Sequence, residues 1–368
     1  MSTICLNMIV KDEAPVIRRC LRSVKPFIDA WVIVDTGSTD DTQEIVRAEM
    51  EGIPGELHEH PWVDFAVNRT QALHLAGRRC DYLYVIDADE ELQLPDSWPR
   101  PALTAEAYSF RYRYDHLAYE RISLVKADLP WRYEGVLHEY LECGRPVAAM
   151  LLEGPVVICR PEGARSRDPE KFMKDARVLE EALRKEPDHT RYRFYLAQSY
   201  RDAGDPVRAL ENYRVRAALG GWEEEVYVAR LNIARLQERL VAGPADISRA
   251  YLEAHACRPA RAEALVDLAR YHRLRNEHPL AYLYARAATE LGSCADLLFV
   301  ETDALAWRAQ DERAIAAYWT GRYEESRDLC GRLLSEGQLP EAERERVEAN
   351  RQFAKKALEG GTTGESRS

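Results

Sequence analysis

No apolar run in this 368-residue chain approaches the roughly 18 to 20 residues needed to cross a bilayer, so no membrane span is expected. The opening segment, MSTICLNMIVKDEAP, reaches Lys11, Asp12 and Glu13 after a short apolar stretch and offers no small-residue cleavage site. It reads as a first strand rather than a secretory signal. Clustered positive charge is missing too. Lys and Arg total 51 against 62 Asp and Glu, a formal net charge of -11, which argues against general nucleic-acid binding because phosphate attraction needs basic clusters. Neither G-x-G-x-x-G nor G-x-x-x-x-G-K-[ST] occurs, which removes the main support for dinucleotide and P-loop readings. The eight cysteines include no CxxC pair and no zinc-finger spacing to His, so reduced, mostly buried thiols in a cytoplasmic protein are expected.

What is present divides into two patterns. Up to about residue 95, short apolar runs alternate with helical periodicity. Strands are expected at Ile4 to Val10, Ala30 to Val34, Gly55 to Glu59 and Tyr82 to Ile86, with helices between them. Such alternation implies a parallel sheet with helices on its faces, and ligands then collect at the carboxyl ends of the strands. The polar punctuation sits at those ends: Lys11-Asp12-Glu13, Asp35-Thr36-Gly37-Ser38 and Asp87-Ala88-Asp89. From Tyr108 to Tyr119, aromatic residues alternate with Ser109, Arg111 and Arg113 at the period of a half-exposed strand, and further strands near Ile122 to Val125 and Val156 to Cys159 extend a mixed sheet. Pro161 to Pro169 reads as a polar linker.

Beyond the linker the pattern is helical and repeats. Leu196-Ala197 recurs as Ile233-Ala234 and Leu268-Ala269, and Ala281 follows Ala269 as Ala209 follows Ala197. Ala314, Gly321 and Ser326 form a looser copy. A spacing of roughly 34 to 36 residues is the mark of tetratricopeptide-type helix pairs. The expected domains are therefore 1–165 (α/β), 166–358 (helical repeats) and a disordered tail at 359–368.

The chemistry concentrates in two segments. Tyr82 to Ile86 is an apolar strand that ends abruptly in Asp87 and Asp89, two carboxylates positioned for one divalent ion whose remaining ligands would be diphosphate oxygens and water. Val32-Ile33-Val34 delivers Asp35 to the sheet edge, where it can accept a hydrogen bond from a pyrimidine imide N–H. His138 and Glu139 follow a Gly-containing turn. Glu139 suits a general base and His138 a metal or diphosphate contact, although the two roles can be exchanged, and Glu90 and Glu91 also qualify as bases by position.

The order of K-D-E after the first strand, VIVDTGSTDDT, DFAVNRTQAL and VIDADEEL resembles family 2 glycosyltransferases of the GT-A fold over residues 3 to 95. The segment Trp131 to Glu139 is similar to the G-x-x-HE element of a bacterial subgroup that often carries C-terminal tetratricopeptide repeats. The resemblance implies a GT-A α/β domain with a mixed sheet, followed by all-α repeats, and an inverting transfer from a nucleotide sugar, UDP-linked or related, assisted by Mn2+ or Mg2+. It places Val10 and Glu13 near base and ribose, Asp35 on the base, Arg69 on the nucleotide side, Asp87 on ribose or metal-bound water, and Asp89 on the metal. The acceptor is a glycan, peptide or protein, and the repeats offer a surface for a protein partner. Two other classes compete: an inactive protein-binding scaffold, against which the intact Asp87 and Asp89 weigh, and a nucleotidyltransferase, which would carry a basic Gly-rich phosphate loop near the first strand.

Overall fold

The computed structural model describes residues 2–115, 117–336 and 338–362. The chain falls into two compact units, Met1–Asp205 and Pro206–Ser368.

The first unit opens with β1 (Ile4–Val10), α1 (Ile17–Val24), β2 (Ala30–Asp35), α2 (Thr42–Glu49), β3 (Gly55–Glu59), α3 (Phe65–Ala76) and β4 (Tyr82–Val85). These four strands are parallel in the order β3-β2-β1-β4. Period-two alternation sends β1 side chains to opposite faces. Ile4, Leu6, Met8 and Val10 enter one core together with Ile17, Cys20, Leu21 and Val24 of α1. Cys5 enters another with Val32, Leu83 and the α3 residues Leu73 and Ala76. The α1 spacing of i, i+3, i+4 and i+7 is a single apolar stripe, and each such side chain fully buried contributes roughly 1.5 to 3 kcal/mol.

Then follow β5 (Glu90–Gln93), β6 (Ala107–Tyr114), β7 (Leu117–Lys126), β8 (Arg132–Glu134), β9 (Tyr140–Glu142) and β10 (Ala149–Cys159). The sheet continues β4-β7-β6-β10-β5, with β7 antiparallel to both β4 and β6, while β8 and β9 pair separately. The Tyr108 to Tyr119 stretch, expected as one strand, is a hairpin whose turn lies between Tyr114 and Leu117. Its alternation holds only from Phe110 onward, where Phe110 and Tyr112 are buried and Arg111 and Arg113 are exposed, whereas Ser109 is buried along with Tyr108. The sheet is therefore mixed, as the sequence pattern implied.

Sheet gives way to helices at the linker, where a short 3-10 turn (Ala164–Arg167) precedes α4 (Lys171–Lys185) and α5 (Thr190–Asp202). Both helices belong to the same compact unit as the sheet, which extends to Asp205.

The second unit is helical: α6 (Pro206–Leu219), α7 (Glu223–Arg239), α8 (Pro244–Cys257), α9 (Glu263–Leu274), α10 (His278–Thr289), α11 (Ala309–Trp319), α12 (Tyr323–Ser335) and α13 (Glu341–Thr362). The recurrent small residues fall on helices and are fully enclosed: Ala209, Ala234, Ala269, Ala281 and Ala314 show 0% exposure. Methyl-sized side chains there let neighbouring helices approach closely. Gly321, between α11 and α12, sits at φ 78°, a left-handed conformation that glycine adopts without steric cost. These antiparallel helix pairs are tetratricopeptide-like. Helix α13 runs four residues into the stretch expected to be disordered, since each residue added to a formed helix gains a backbone bond. The remainder of that stretch, 363–368, lies outside the described residues.

All eight cysteines are free thiols, and burial pushes Cys5 up to about 12, which makes it inert. Among the described residues no helix is long and apolar enough to cross a membrane.

Candidate active site

The ends of β1 and β2 are tied to each other before they are tied to anything else. Val10 pairs in register with Asp35, and its carbonyl accepts from the Thr36 amide at 2.9 Å and hydroxyl at 3.1 Å. The two following loops interlock. Asp12 Oδ1 accepts from the Thr39 amide at 2.7 Å, and the Glu13 amide donates to Thr42 Oγ1 at 2.8 Å. Asp35 closes its own turn by accepting from the Gly37 and Ser38 amides, both at 2.8 Å on Oδ1. Its Oδ2 is buried with no hydrogen-bond partner, in a residue only 1% exposed. An orphaned carboxylate oxygen costs on the order of 1 to 3 kcal/mol, so a bound N–H donor would recover stability there.

The turn from β4 to β5 carries the acids. Asp87 Oδ1 accepts from Arg69 at 2.5 Å and Oδ2 from Arg121 at 3.4 Å. Burial alone would raise its pKa, but the two guanidinium groups overcome that and bring it to about 2. Arg69 also forms an ion pair with Glu139 at 2.7 Å and lies beneath Tyr133, so one guanidinium joins Asp87 to Glu139. Asn68, immediately before it, is fully buried and fixes the approach to α3 by accepting from the Val63 amide and donating to the Pro61 carbonyl.

Asp89 is in the opposite condition. Burial and then the Asp87 charge raise its pKa, and its Oδ2 accepts from the Gly163 amide at 3.1 Å. Glu13, raised to about 7 by burial, accepts from the Ala164 amide at 3.2 and 3.1 Å. The linker backbone is pressed so closely on this pair that a Cβ at Gly163 would stand 2.9 Å from Asp89 Oδ2 and 3.2 Å from Glu13 Oε1. Excess negative charge without a cationic side chain in hydrogen-bond contact fits a divalent cation, completed by diphosphate oxygens and water. Among the described residues no three His, Cys, Asp or Glu side chains converge to hold a metal ion, so His138 is not joined to Asp87 and Asp89 in one ligand set.

Instead His138 turns to α5. Its ring stacks on Tyr195 with centroids 3.7 Å apart and planes 8° from parallel, and its carbonyl accepts twice from Arg191, at 3.1 and 2.8 Å. The surrounding protein, then the cations Arg165, Arg191 and Lys171, hold its pKa well down, leaving a neutral imidazole. The two remaining base candidates part company. Glu90 is 5% exposed, accepts from Arg121 at 2.7 Å and from the Asp87 amide at 2.9 Å, and burial raises it to about 7. It braces the acidic turn from inside. Glu91 pairs with Arg160 at 3.1 Å.

Residues 5–104 match the family described as Glycosyl transferase family 2. Over those residues the chain is similar to family 2 glycosyltransferases. A TPR repeat-containing protein of Synechococcus elongatus is 42% identical over 98 residues, 27% of this chain and 23% of its own. An uncharacterized glycosyltransferase of Rickettsia felis is 36% identical over 92 residues, 25% of this chain and 30% of its own. The chain thus spans less than a third of the length of these curated relatives. A solved structure of MamA covers 54% of this chain and 95% of its own at 16% identity, with a TM-score of 0.34.

Within the first unit, Asp87, Arg69 and Glu139 are brought together, and Asp89 lies beside Glu13. The sequence reading did not find Gly163, Ala164, Arg191 or Tyr195. The first two act through backbone amides, which leave no side-chain signature. The last two lie on a helix whose periodicity announces only packing.

Proposed function

We propose that this chain transfers a sugar from a UDP-type nucleotide donor to an acceptor hydroxyl, inverting the anomeric carbon, with Mn2+ or Mg2+ assisting. The observation that carries the reading is the Arg69 bridge, which sets Glu139 beside the acidic turn. The acceptor oxygen bonds to the anomeric carbon as the bond to the nucleoside diphosphate breaks, and Glu139 takes the hydroxyl proton. Asp89 would hold the cation, with Asp87 beside it, and the cation would neutralise charge on the departing diphosphate. Asp35 would receive the base N–H on its unpartnered oxygen, with Val10 and Glu13 lining that end. Arg69, paired with two carboxylates, acts by orienting them. The acceptor is a glycan, peptide or protein, and the second unit supplies a helical surface for a protein partner.

Calorimetric titration with UDP, with and without Mn2+, tests this reading. Binding is expected to weaken strongly when the cation is removed, and a chain that binds no nucleotide under either condition refutes it. Asp35→Asn keeps an oxygen for the Gly37 and Ser38 amides but sets an amide N–H against the base. UDP affinity is expected to fall roughly 10- to 100-fold, the value of a hydrogen bond to a charged group. Unchanged affinity would remove Asp35 from the nucleotide pocket.

A further inference from the structure

We propose that Tyr195 and Arg191 of α5 are positioning residues for Glu139, acting through the backbone of His138; this rests on the reading of Glu139 as the base. His138 sits at φ 52°, a left-handed conformation that a residue with a Cβ rarely adopts. Such a conformation persists only where surrounding structure imposes it. Here the imposition has two points. Tyr195 holds the imidazole face to face at 3.7 Å, and Arg191 grips the carbonyl through Nε at 3.1 Å and through a terminal nitrogen at 2.8 Å.

The clamp is itself braced. Arg191 lies over the rings of Tyr195 and Tyr140, at 5.1 and 5.2 Å from their centroids, so it spans the turn from both sides. Tyr195 is 8% exposed and meets Phe194 edge-on at 5.3 Å. The first turn of α5 is fixed by His189, whose ring accepts from the Tyr192 amide at 3.2 Å and stacks on Tyr192. Further along, the Tyr200 hydroxyl donates to Glu180 of α4. Immediately before His138 in the chain, Leu137 is buried at 4% exposure. Fixing His138 between Leu137 and the clamp determines the direction in which the next residue leaves the turn. Glu139 departs toward Arg69, 2.7 Å away, and Arg69 reaches Asp87. A relaxed His138 would rotate the Glu139 side chain off this line without touching Asp35 or Asp89. The helix pair after the linker therefore holds the turn from which Glu139 departs.

The test compares Tyr195→Ala, Tyr195→Phe and Arg191→Ala in the full chain. Hydrogen exchange is followed across residues 135–140, alongside donor turnover and UDP affinity. The alanine variants are expected to exchange at least about tenfold faster across that segment and to lose about tenfold or more in kcat, with UDP affinity within about twofold of wild type. Tyr195→Phe keeps the stack and should match wild type throughout. Arg191 is half-buried, so its variant keeps the test decisive if Tyr195→Ala fails to fold. Unchanged exchange in both alanine variants overturns the proposal, as does faster exchange with undiminished kcat or equal damage from phenylalanine. If the wild type binds no UDP, the glycosyltransfer reading is what fails, and the exchange measurements still decide whether α5 holds the turn.

Discussion

Asp89→Ala is expected to reduce turnover about 10³-fold or more and to abolish its dependence on Mn2+, while the protein stays folded. The magnitude follows from the several kcal/mol a divalent cation contributes when diphosphate charge develops, at about 1.4 kcal/mol per tenfold. Folding should survive because Asp89 is not part of either apolar core. Its contacts are the Gly163 amide and the neighbouring charges of Glu13 and Asp87. The pH dependence has a definite sign. Its folded-state pKa lies above the unfolded value, so the folded state binds more protons between the two, and wild-type stability falls as pH rises through that window. The alanine variant lacks that loss, so its melting temperature should gain on wild type as pH climbs above the ordinary carboxylate range. Substantial activity of Asp89→Ala in the presence of a chelator would rule out cation assistance through this residue.

Glu139→Gln should lower kcat by on the order of 10² or more, the usual contribution of a general base, with UDP affinity nearly unchanged. The amide preserves size and leaves Arg69 bonded to Asp87, so the nucleotide side of the site keeps its architecture. His138→Ala is an informative companion. Because the imidazole is stacked on Tyr195, its removal should loosen the turn and slow turnover, with the Mn2+ requirement left intact. Equal and small effects from both variants would return the pair to a purely architectural role and reopen the choice of base.

Much of the α/β half was legible because its strands are apolar runs cut off by acids. Ile4 to Val10, Ala30 to Val34 and Tyr82 to Ile86 could be read from their apolar runs, and Asp35 and Asp87 from the abruptness with which the last two of those runs end. Strand β5 was hidden for the opposite reason. Glu90-Glu91-Leu92-Gln93 has the composition of an exposed turn, and Glu90 is tolerated inside only because Arg121, from a strand 31 residues later, meets it. Arg121 also reaches Asp87 and the Tyr112 hydroxyl, so it ties its own strand to the acidic turn. The linker was read as a spacer from its Pro, Gly and charged residues. What places Gly163 and Ala164 against Asp89 and Glu13 is the path of the chain, and no local pattern encodes a path.

The unpartnered Oδ2 of Asp35 has a further consequence for discrimination. A buried anionic acceptor responds to where a hydrogen is, not to ring size or methylation. Uracil and thymine both carry a hydrogen on N3 and look alike to it, whereas cytosine presents a lone pair at the same position and would be repelled. UDP and TDP should therefore compete for the site with similar strength, and CDP should compete poorly. Competition by CDP equal to that of UDP would mean that Asp35 Oδ2 is answered by something other than the base.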